Sequence, residues 1–363
     1  MHLFKIILFP FIIILAACTN KHASTSETTM LMEPRESLLL KSSYAMQTML
    51  GDFAENPIAK QFVDSMVKKH GFNRQQLHAV ISQAKRLNYV LRLMDRQALT
   101  YKSPARPNGA WLRYCRQFIT PRNVKSGVVF WDQNQDYLMR AQHIYGVPPG
   151  IIVGIIGVET GWGRIMGQTP VLDALTTLAF NYPRRASYFS NELENFLLMA
   201  RNEKNNLLDM RGSFAGAMGY GQFMPSSYQQ YAIDFNGDGH INLWDPVDTI
   251  GSIAHFFKEH GWRRGEGVAI PASSGQIPFL QNGCKTGYKM QILAATTSSL
   301  KGSLLDGSPK VSLLSLNTGT SYEYWYGLHN FYVIMRYNHS IYYAIAVWQL
   351  GEAISKARMG FIF

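Results

Sequence analysis

Pro148-Pro149-Gly150-Ile151-Ile152-Val153-Gly154-Ile155-Ile156-Gly157-Val158-Glu159-Thr160-Gly161-Trp162-Gly163 is the stretch that decides how this chain folds. The prolines suit the first turn of a helix, where a missing N–H removes no hydrogen bond. Apolar residues and glycines then occupy every side of the predicted helix, which places it inside a helical core. Thr160-Gly161-Trp162-Gly163 ends it, since glycine takes the left-handed backbone of a helix C-cap without strain. Glu159 is the only carboxylate between Asp136 and Asp173, and it stands at that end. Burial and the negative end of the helix dipole both oppose its ionisation. A carboxyl in that position keeps its proton toward neutral pH and reads as a general acid. The plain alternative is a glutamate that closes a buried helix and pairs with the nearby Arg164.

Toward the N-terminus, residues from about Leu38 to Tyr145 show helical spacing with short breaks, as in Ile58, Phe62, Val63, Met66 and Val67 before His70-Gly71. Asn73 is the expected N-cap of a second helix, and Pro104 to Pro107 a connecting loop. Trp111, Phe130, Trp131 and Tyr137 are expected to pack between helices. Toward the C-terminus, helical spacing continues from Val171 to Met210 with a break at Asn181-Tyr182-Pro183. A glycine-rich turn region covers Gly212 to Ser227, and a core helix runs from Val247 to His260. From Trp262 to about Asn330 short alternating runs such as Tyr322 to Tyr326 predict a small β insertion. A last helix, Ile341 to Arg358, is expected to close back onto the core.

The chain has 363 residues, 47% of them hydrophobic and 16% charged, which suits a globular protein with a sizeable core. Lys5 precedes the apolar run Ile6 to Leu15, too short for a comfortable span but right for a signal sequence. Leu15-Ala16-Ala17-Cys18, followed by a polar stretch from Thr19 to Thr29, resembles a bacterial lipobox, so Cys18 is expected to carry lipid and act as an anchor. Thr19 after the cysteine resembles lipoproteins passed on to the outer membrane, which puts the expected location on its periplasmic face. Cys115 and Cys284 are too few for a disulfide framework, and spacing does not say whether they pair. The formal charge of +11 suits an anionic partner such as a cell-wall polymer. Lys and Arg are scattered, and no nucleic-acid-binding motif accompanies them.

Asp234-Phe235-Asn236-Gly237-Asp238-Gly239-His240-Ile241-Asn242-Leu243-Trp244-Asp245 fits a calcium loop of the EF-hand type. Oxygen ligands alternate at Asp234, Asn236 and Asp238, and His240 offers its carbonyl. At the closing position Asp245 stands where a bidentate glutamate is expected. Asp245 precedes Pro246 and reads as a helix N-cap, which leaves Asp248 as the better closing ligand. The expected metal is structural Ca2+, with no organic cofactor. The stretch Gly212 to Ser226 lacks the Lys-Ser/Thr end of a phosphate loop. Its glycines let backbone approach a ligand, Ser213 and Gln222 can hydrogen-bond an N-acetyl sugar, and Met218 can offer an apolar wall. Arg336-Tyr337-Asn338 and Tyr343 bring phenol and amide groups close in sequence; spacing alone favours a packing role for the tyrosines.

Together the segments around Glu159, Gln222, Asp234 to Asp248 and Arg336-Tyr337-Asn338 are similar, in order and over most of the chain, to the lytic murein transglycosylases of the membrane-bound B type. The resemblance implies an α+β, mainly helical fold with a lysozyme-like catalytic core, a helical domain and a small β domain. The expected division is a signal peptide at 1–17, a lipidated tether at 18–45, the helical domain at 46–145, the core with its calcium loop at 146–261, the β domain at 262–330 and a returning segment at 331–363. The resemblance further implies cleavage of the MurNAc-GlcNAc β-1,4 bond of peptidoglycan without water, in cell-wall turnover. It assigns Glu159 as the catalytic acid and then base. Ser213, Met218, Gln222, Tyr337, Asn338 and Tyr343 become sugar contacts, and Asp234, Asn236, Asp238, His240 and Asp248 the calcium ligands.

An ordinary glycosidase sets two carboxylates across the scissile bond. Asp173, Glu192, Glu194 and Asp209 are available, but the last three lie in polar helical surroundings that predict solvated faces. The alternatives are a muramidase-type hydrolase using one of these, or a non-catalytic peptidoglycan-binding lipoprotein.

Overall fold

The computed structural model describes residues 46–99, 108–272, 291–292 and 310–361. The signal and lipobox residues with Cys18, the loop from Pro104 to Pro107, and Cys284 lie outside the described residues. In chain order the helices are α1 (Pro57–His70), α2 (Arg74–Gln83), α3 (Asn88–Leu99), α4 (Ala110–Cys115), α5 (Pro121–Gln133), α6 (Gln135–Tyr145), α7 (Pro149–Thr160), α8 (Val171–Asn181), α9 (Ala186–Asn202), α10 (Pro225–Tyr231), α11 (Pro246–Glu259), α12 (His329–Tyr337) and α13 (Ile341–Arg358). The strands are β1 (Thr169–Pro170), β2 (Arg211–Gly212), β3 (Ala269–Pro271), β4 (Gln291–Ile292), β5 (Lys310–Asn317) and β6 (Tyr322–Gly327). The chain divides into two compact units, each discontinuous in sequence. One gathers Leu99–Arg164 with Ile250–Phe363, the other the described residues up to Ala98 with Ile165–Thr249.

In the second of these units local sequence sets the helix ends. Asn56 caps α1 by accepting from Ile58 N at 2.9 Å and Ala59 N at 3.2 Å, with Pro57 in the first turn and Gly71 left-handed at its end. Asn73 accepts from Gln76 N at 3.1 Å and starts α2 as expected. Phe180 of α8 packs in T-shaped pairs with Phe53 and Phe62, with centroids 5.5 and 5.7 Å away. Phe189, Leu193, Phe196, Leu197 and Ala200 form the buried face of α9. The loop after α2 has no ladder of its own; Asp173 and Thr177 of α8 accept its Lys85 and Leu87 amides at 3.0 and 2.9 Å.

In the other unit α7 is buried along its whole length except at Glu159. Its glycines let α13 approach backbone to backbone: a Cβ at Gly154 would strike the Val347 carbonyl, and one at Gly351 the Gly150 carbonyl. Gly154→Ala is therefore expected to push the two helices apart and destabilise by about 2 to 4 kcal/mol, measured by denaturant unfolding. An unchanged midpoint would mean that the seam tolerates a methyl. Trp111, Phe130 and Trp131 are buried as expected, whereas Tyr137 is exposed with the Arg140 guanidinium over its ring. Tyr137 lies on the solvent side of α6, where the Arg140 cation meets its ring face. The strands β3 to β6 form one antiparallel sheet in the order β3-β6-β5-β4. Val311, Leu313, Tyr326 and Leu328 make its small core.

Candidate active site

Glu159 occupies the penultimate position of α7. The helix closes in a run of left-handed residues, Gly161 at φ 58°, Trp162 at 59° and Gly163 at 86°. Gly161 N donates to the Gly157 carbonyl at 3.0 Å and Trp162 N to Ile156 at 3.3 Å, so the last carbonyls are satisfied. Thr160 joins both sides of the turn, donating to the Ile156 carbonyl at 3.2 Å and accepting from Gly163 N at 3.1 Å. For glycine this backbone is free; for tryptophan it costs about 1 to 2 kcal/mol, which the surroundings must offset.

The Tyr343 hydroxyl, on the first turn of α13, donates to Glu159 Oε1 at 2.5 Å. Burial pushes the Glu159 carboxyl from its ordinary 4.5 up to about 8, and the Tyr343 hydrogen bond pulls the other way. Arg164 does not pair with Glu159. Its guanidinium donates to the Gly161 carbonyl and to Asn123 Oδ1, at 2.9 and 3.2 Å.

Three tyrosines face this carboxyl. Tyr343, Tyr337 and Tyr114 are all raised above the usual phenol range by burial first and then by the charge of ionised Glu159. Tyr337 ends α12 and packs on Phe256 and Phe257 of α11, with centroids 5.0 and 5.8 Å away. Asn338 follows it, nearly buried, and its Oδ1 has no hydrogen-bond partner among the described residues. An orphaned buried acceptor of this kind is costly unless a ligand supplies the donor. Tyr114 was not among the expected site residues. Its only sequence signal, an aromatic three residues after Trp111, is that of ordinary core packing.

Ser213, Met218 and Gln222 belong to the other unit, in a loop closed by paired backbone bonds between Met218 and Phe223 at 2.9 and 3.0 Å. Ser213 Oγ accepts from Ala215 N and Ala217 N at 3.3 and 3.0 Å, which uses only its acceptor side. Met218 is wholly buried. Gln222 has a left-handed backbone, φ 52°, and its amide NH2 donates to the carbonyls of Met166 and Gly219 at 3.1 and 2.9 Å. Its Oε1 is thereby oriented as the atom left to accept. Gly219 makes the turn possible, since a Cβ there would collide with the Leu243 carbonyl.

The loop from Asp234 to Asp248 lies in the same unit. Asp234 accepts from Gly239 N and Gly237 N at 2.8 and 2.6 Å, and the first of these bonds is the main reason its carboxyl lies below the usual range. Asp238 accepts from His240 N at 2.8 Å. Asp248 is fully buried, and its two oxygens accept from Phe235, Asn236 and Asn242 N at 2.8, 3.1 and 2.8 Å. Its acidity is nonetheless weakened, by burial first. Asp245 caps α11 through Val247 N at 2.6 Å, as its place before proline predicted. A buried carboxylate close to Asp245, served only by neutral amides, calls for a cation, and hard oxygen donors at Asp234, Asn236 and Asp238 suit calcium. Among the described residues no group of three or more acidic, His or Cys side chains converges as a metal cluster. A site here therefore depends on amide and carbonyl oxygens as well.

Among the other carboxylates one expectation is corrected. Glu192 is not on a solvated face but 1% exposed, accepting from Ser226 N and Oγ at 2.8 and 2.7 Å. It caps the first turn of α10, a short helix the sequence does not announce, through the Ser226 amide and hydroxyl, so its burial is structural. Glu194 bonds His70 at 2.8 Å and Asp209 bonds Asn206 at the same distance.

A fold built on a wholly apolar helix that ends in one proton-holding glutamate defines a class. Residues 54–352 match the transglycosylase SLT domain family, and the chain belongs to it. It is 60% identical over 354 residues, 97% of its own length and 98% of the relative's, to membrane-bound lytic murein transglycosylase B of Escherichia coli strain K12. Among solved structures it is similar to an Escherichia coli lytic transglycosylase in complex with calcium, at 58% identity and a TM-score of 0.77, covering 91% of this chain and 100% of that one. It is also similar to SltB3 of Pseudomonas aeruginosa in complex with NAG-NAM-pentapeptide, at 26% identity and a TM-score of 0.65, covering 82% and 79% of the two chains.

Proposed function

We infer that this protein is a lytic murein transglycosylase that breaks the MurNAc-GlcNAc β-1,4 bond of peptidoglycan without water and leaves 1,6-anhydroMurNAc ends. The observation that carries the reading is a single carboxyl, raised to about 8, with Tyr343 at 2.5 Å and, among the described residues, no second carboxylate acting on it. Protonated Glu159 gives its proton to the glycosidic oxygen, and the departing sugar leaves an oxocarbenium-like centre that the N-acetyl group of MurNAc stabilises. Glu159, now ionised and held by Tyr343, takes the proton of the sugar's 6-hydroxyl, whose oxygen closes onto C1. An acidity near neutrality serves both steps. Intramolecular attack also removes the need for a second carboxylate to activate water.

Ser213, Gln222 Oε1 and Asn338 Oδ1 supply polar contacts to the glycan, and Tyr337 and Tyr343 aromatic ones, while buried Met218 holds the loop's shape. Mass spectrometry of digested sacculi tests the reaction: each anhydro end is lighter by one water than a reducing end. Reducing ends alone would point instead to the muramidase-type hydrolase, and no new ends to a binding lipoprotein.

Tyr343→Phe removes the donor that favours ionised Glu159. We expect kcat to fall roughly ten- to a hundredfold, the scale of a hydrogen bond to a charged group. The basic limb of the pH profile should move upward, because the lost bond was the influence lowering the Glu159 pKa. A limb moving downward would contradict the assigned role of Tyr343.

Calcium binds the loop through Asp234, Asn236, Asp238, the His240 carbonyl and Asp248, and supports the fold rather than the chemistry. We further propose that lipid on Cys18 holds the protein at the periplasmic face of the outer membrane. Cys18→Ser should shift it from the membrane to the soluble fraction on cell fractionation, and an unchanged distribution would remove the anchor.

A further inference from the structure

The left-handed backbone of Trp162 is unusual for so large a residue, and the way its side chain is held gives it a task. From the C-terminal end of α7 the indole folds back along the helix, and Nε1 donates to the Val153 carbonyl at 3.2 Å. That carbonyl lies nine positions earlier in the chain. The ring fills a slot left by glycines on two helices: a Cβ at Gly157 would stand 2.6 Å from Cζ2, and one at Gly127 of α5 2.8 Å from the same atom. Outside, the Arg164 guanidinium lies 5.8 Å from the ring centroid and is itself tied to Gly161 and Asn123. The residue that bends the chain away from Glu159 is therefore pinned to the body of the helix that carries Glu159.

We propose that Trp162 is a positioning residue for the reaction: its indole, seated between Gly127 and Gly157, clamps the last turn of α7 so that the Glu159 carboxyl stays at the Tyr343 hydroxyl and out of water. The proposal rests on Glu159 being the acid of the inferred transglycosylase. Among the described residues the groups facing Glu159 are Tyr343 from α13, Tyr337 from α12 and Tyr114 from α4, none of them charged at neutral pH, and no cation contributes. Burial is what keeps the proton on Glu159, so a loosened helix end that admits water lowers the acid's pKa.

The test measures formation of anhydro ends from purified sacculi across pH 5 to 9 by W162A, W162F and E159Q, with thermal unfolding of each. W162A is expected to lose at least tenfold in kcat at pH 7 with KM within twofold of the parent. Its basic limb should shift down by about two units, which from a starting pKa of about 8 lowers the protonated fraction at pH 7 roughly tenfold, so that acidification restores much of the rate. W162F keeps a ring in the slot but not the N–H, and should show a smaller shift in the same direction. A loss equal at every pH, or a full rate at pH 7, overturns the proposal, because a purely structural residue lowers the amount of folded enzyme without moving its pH profile. Should W162A not fold, the direction of the W162F limb decides by the same criterion. Turnover by E159Q would instead overturn the reading of Glu159 itself. An inactive E159Q beside an unmoved W162F profile overturns the Trp162 role alone.

Discussion

Glu159→Gln is expected to abolish formation of anhydro ends, by at least about a thousandfold, because the same carboxyl gives the first proton and takes the second. Glutamine keeps the shape and still accepts the Tyr343 hydroxyl, but it can neither donate an acidic proton nor act as a base. The same variant should be more stable than the parent above the ordinary carboxylate range. Burial holds the folded-state pKa at about 8 against 4.5, so the folded protein binds this proton more tightly than the unfolded chain. The protonated acid is tolerated below pH 4.5, and stability falls as pH rises from there toward 8. At pH 7 the gain from removing the group is about 1 to 2 kcal/mol, allowing for its partial exposure. Calorimetry at pH 5 and pH 8 reads the difference as a melting-temperature gap that widens with pH. A gap of the opposite sign would show that Glu159 is ionised in the folded protein, and retained turnover would remove it from the mechanism.

Replacement of Asp248 is expected to produce the largest loss of stability, and removal of calcium a smaller one in the same direction. A ligand present at a hundred times its Kd stabilises by about 2.7 kcal/mol, which for a domain of this size corresponds to roughly 5 to 10 °C. Chelation should lower the melting temperature by that order and leave kcat of the still-folded enzyme near its starting value. Asp248→Ala goes further, since Phe235, Asn236 and Asn242 lose the acceptor of their amides. Leaving buried donors unpaired costs about 1 to 3 kcal/mol each. This variant should unfold earlier than the chelated parent and no longer respond to calcium. A chelator that stopped turnover without changing the melting temperature would sink the structural assignment of the metal.

Features whose causes lie within a few residues were legible in the sequence. Asn73 caps α2, Pro149 opens α7, Gly161 closes it, and Asp245 caps α11, because each satisfies backbone groups one turn away. Glu159 was legible for a related reason: the apolar run before it is its own helix, which marks that helix as buried. What was not legible depends on distant chain. Tyr114 and Tyr343 flank one carboxyl from helices far apart in sequence, and no periodicity on either helix reports that meeting. Glu192 looks like a surface residue on a polar helix until α10 arrives with amides to cap. Tyr137 shows the reverse case, an aromatic at helical spacing that ends exposed beneath a guanidinium from its own helix.

The hydrogen bond from Tyr343 to Glu159 joins residues 184 positions apart, and this gives the enzyme an order of assembly. The proton donor is not a property of the glutamate alone but of the folded unit in which α13 packs on α7 and buries it. Until α13 has docked, Glu159 is an ordinary carboxylate, ionised at neutral pH. Competence to cut the wall thus arrives with the packing of two distant segments, and a change that wedges α13 from α7 would silence the protein while leaving its glutamate in place.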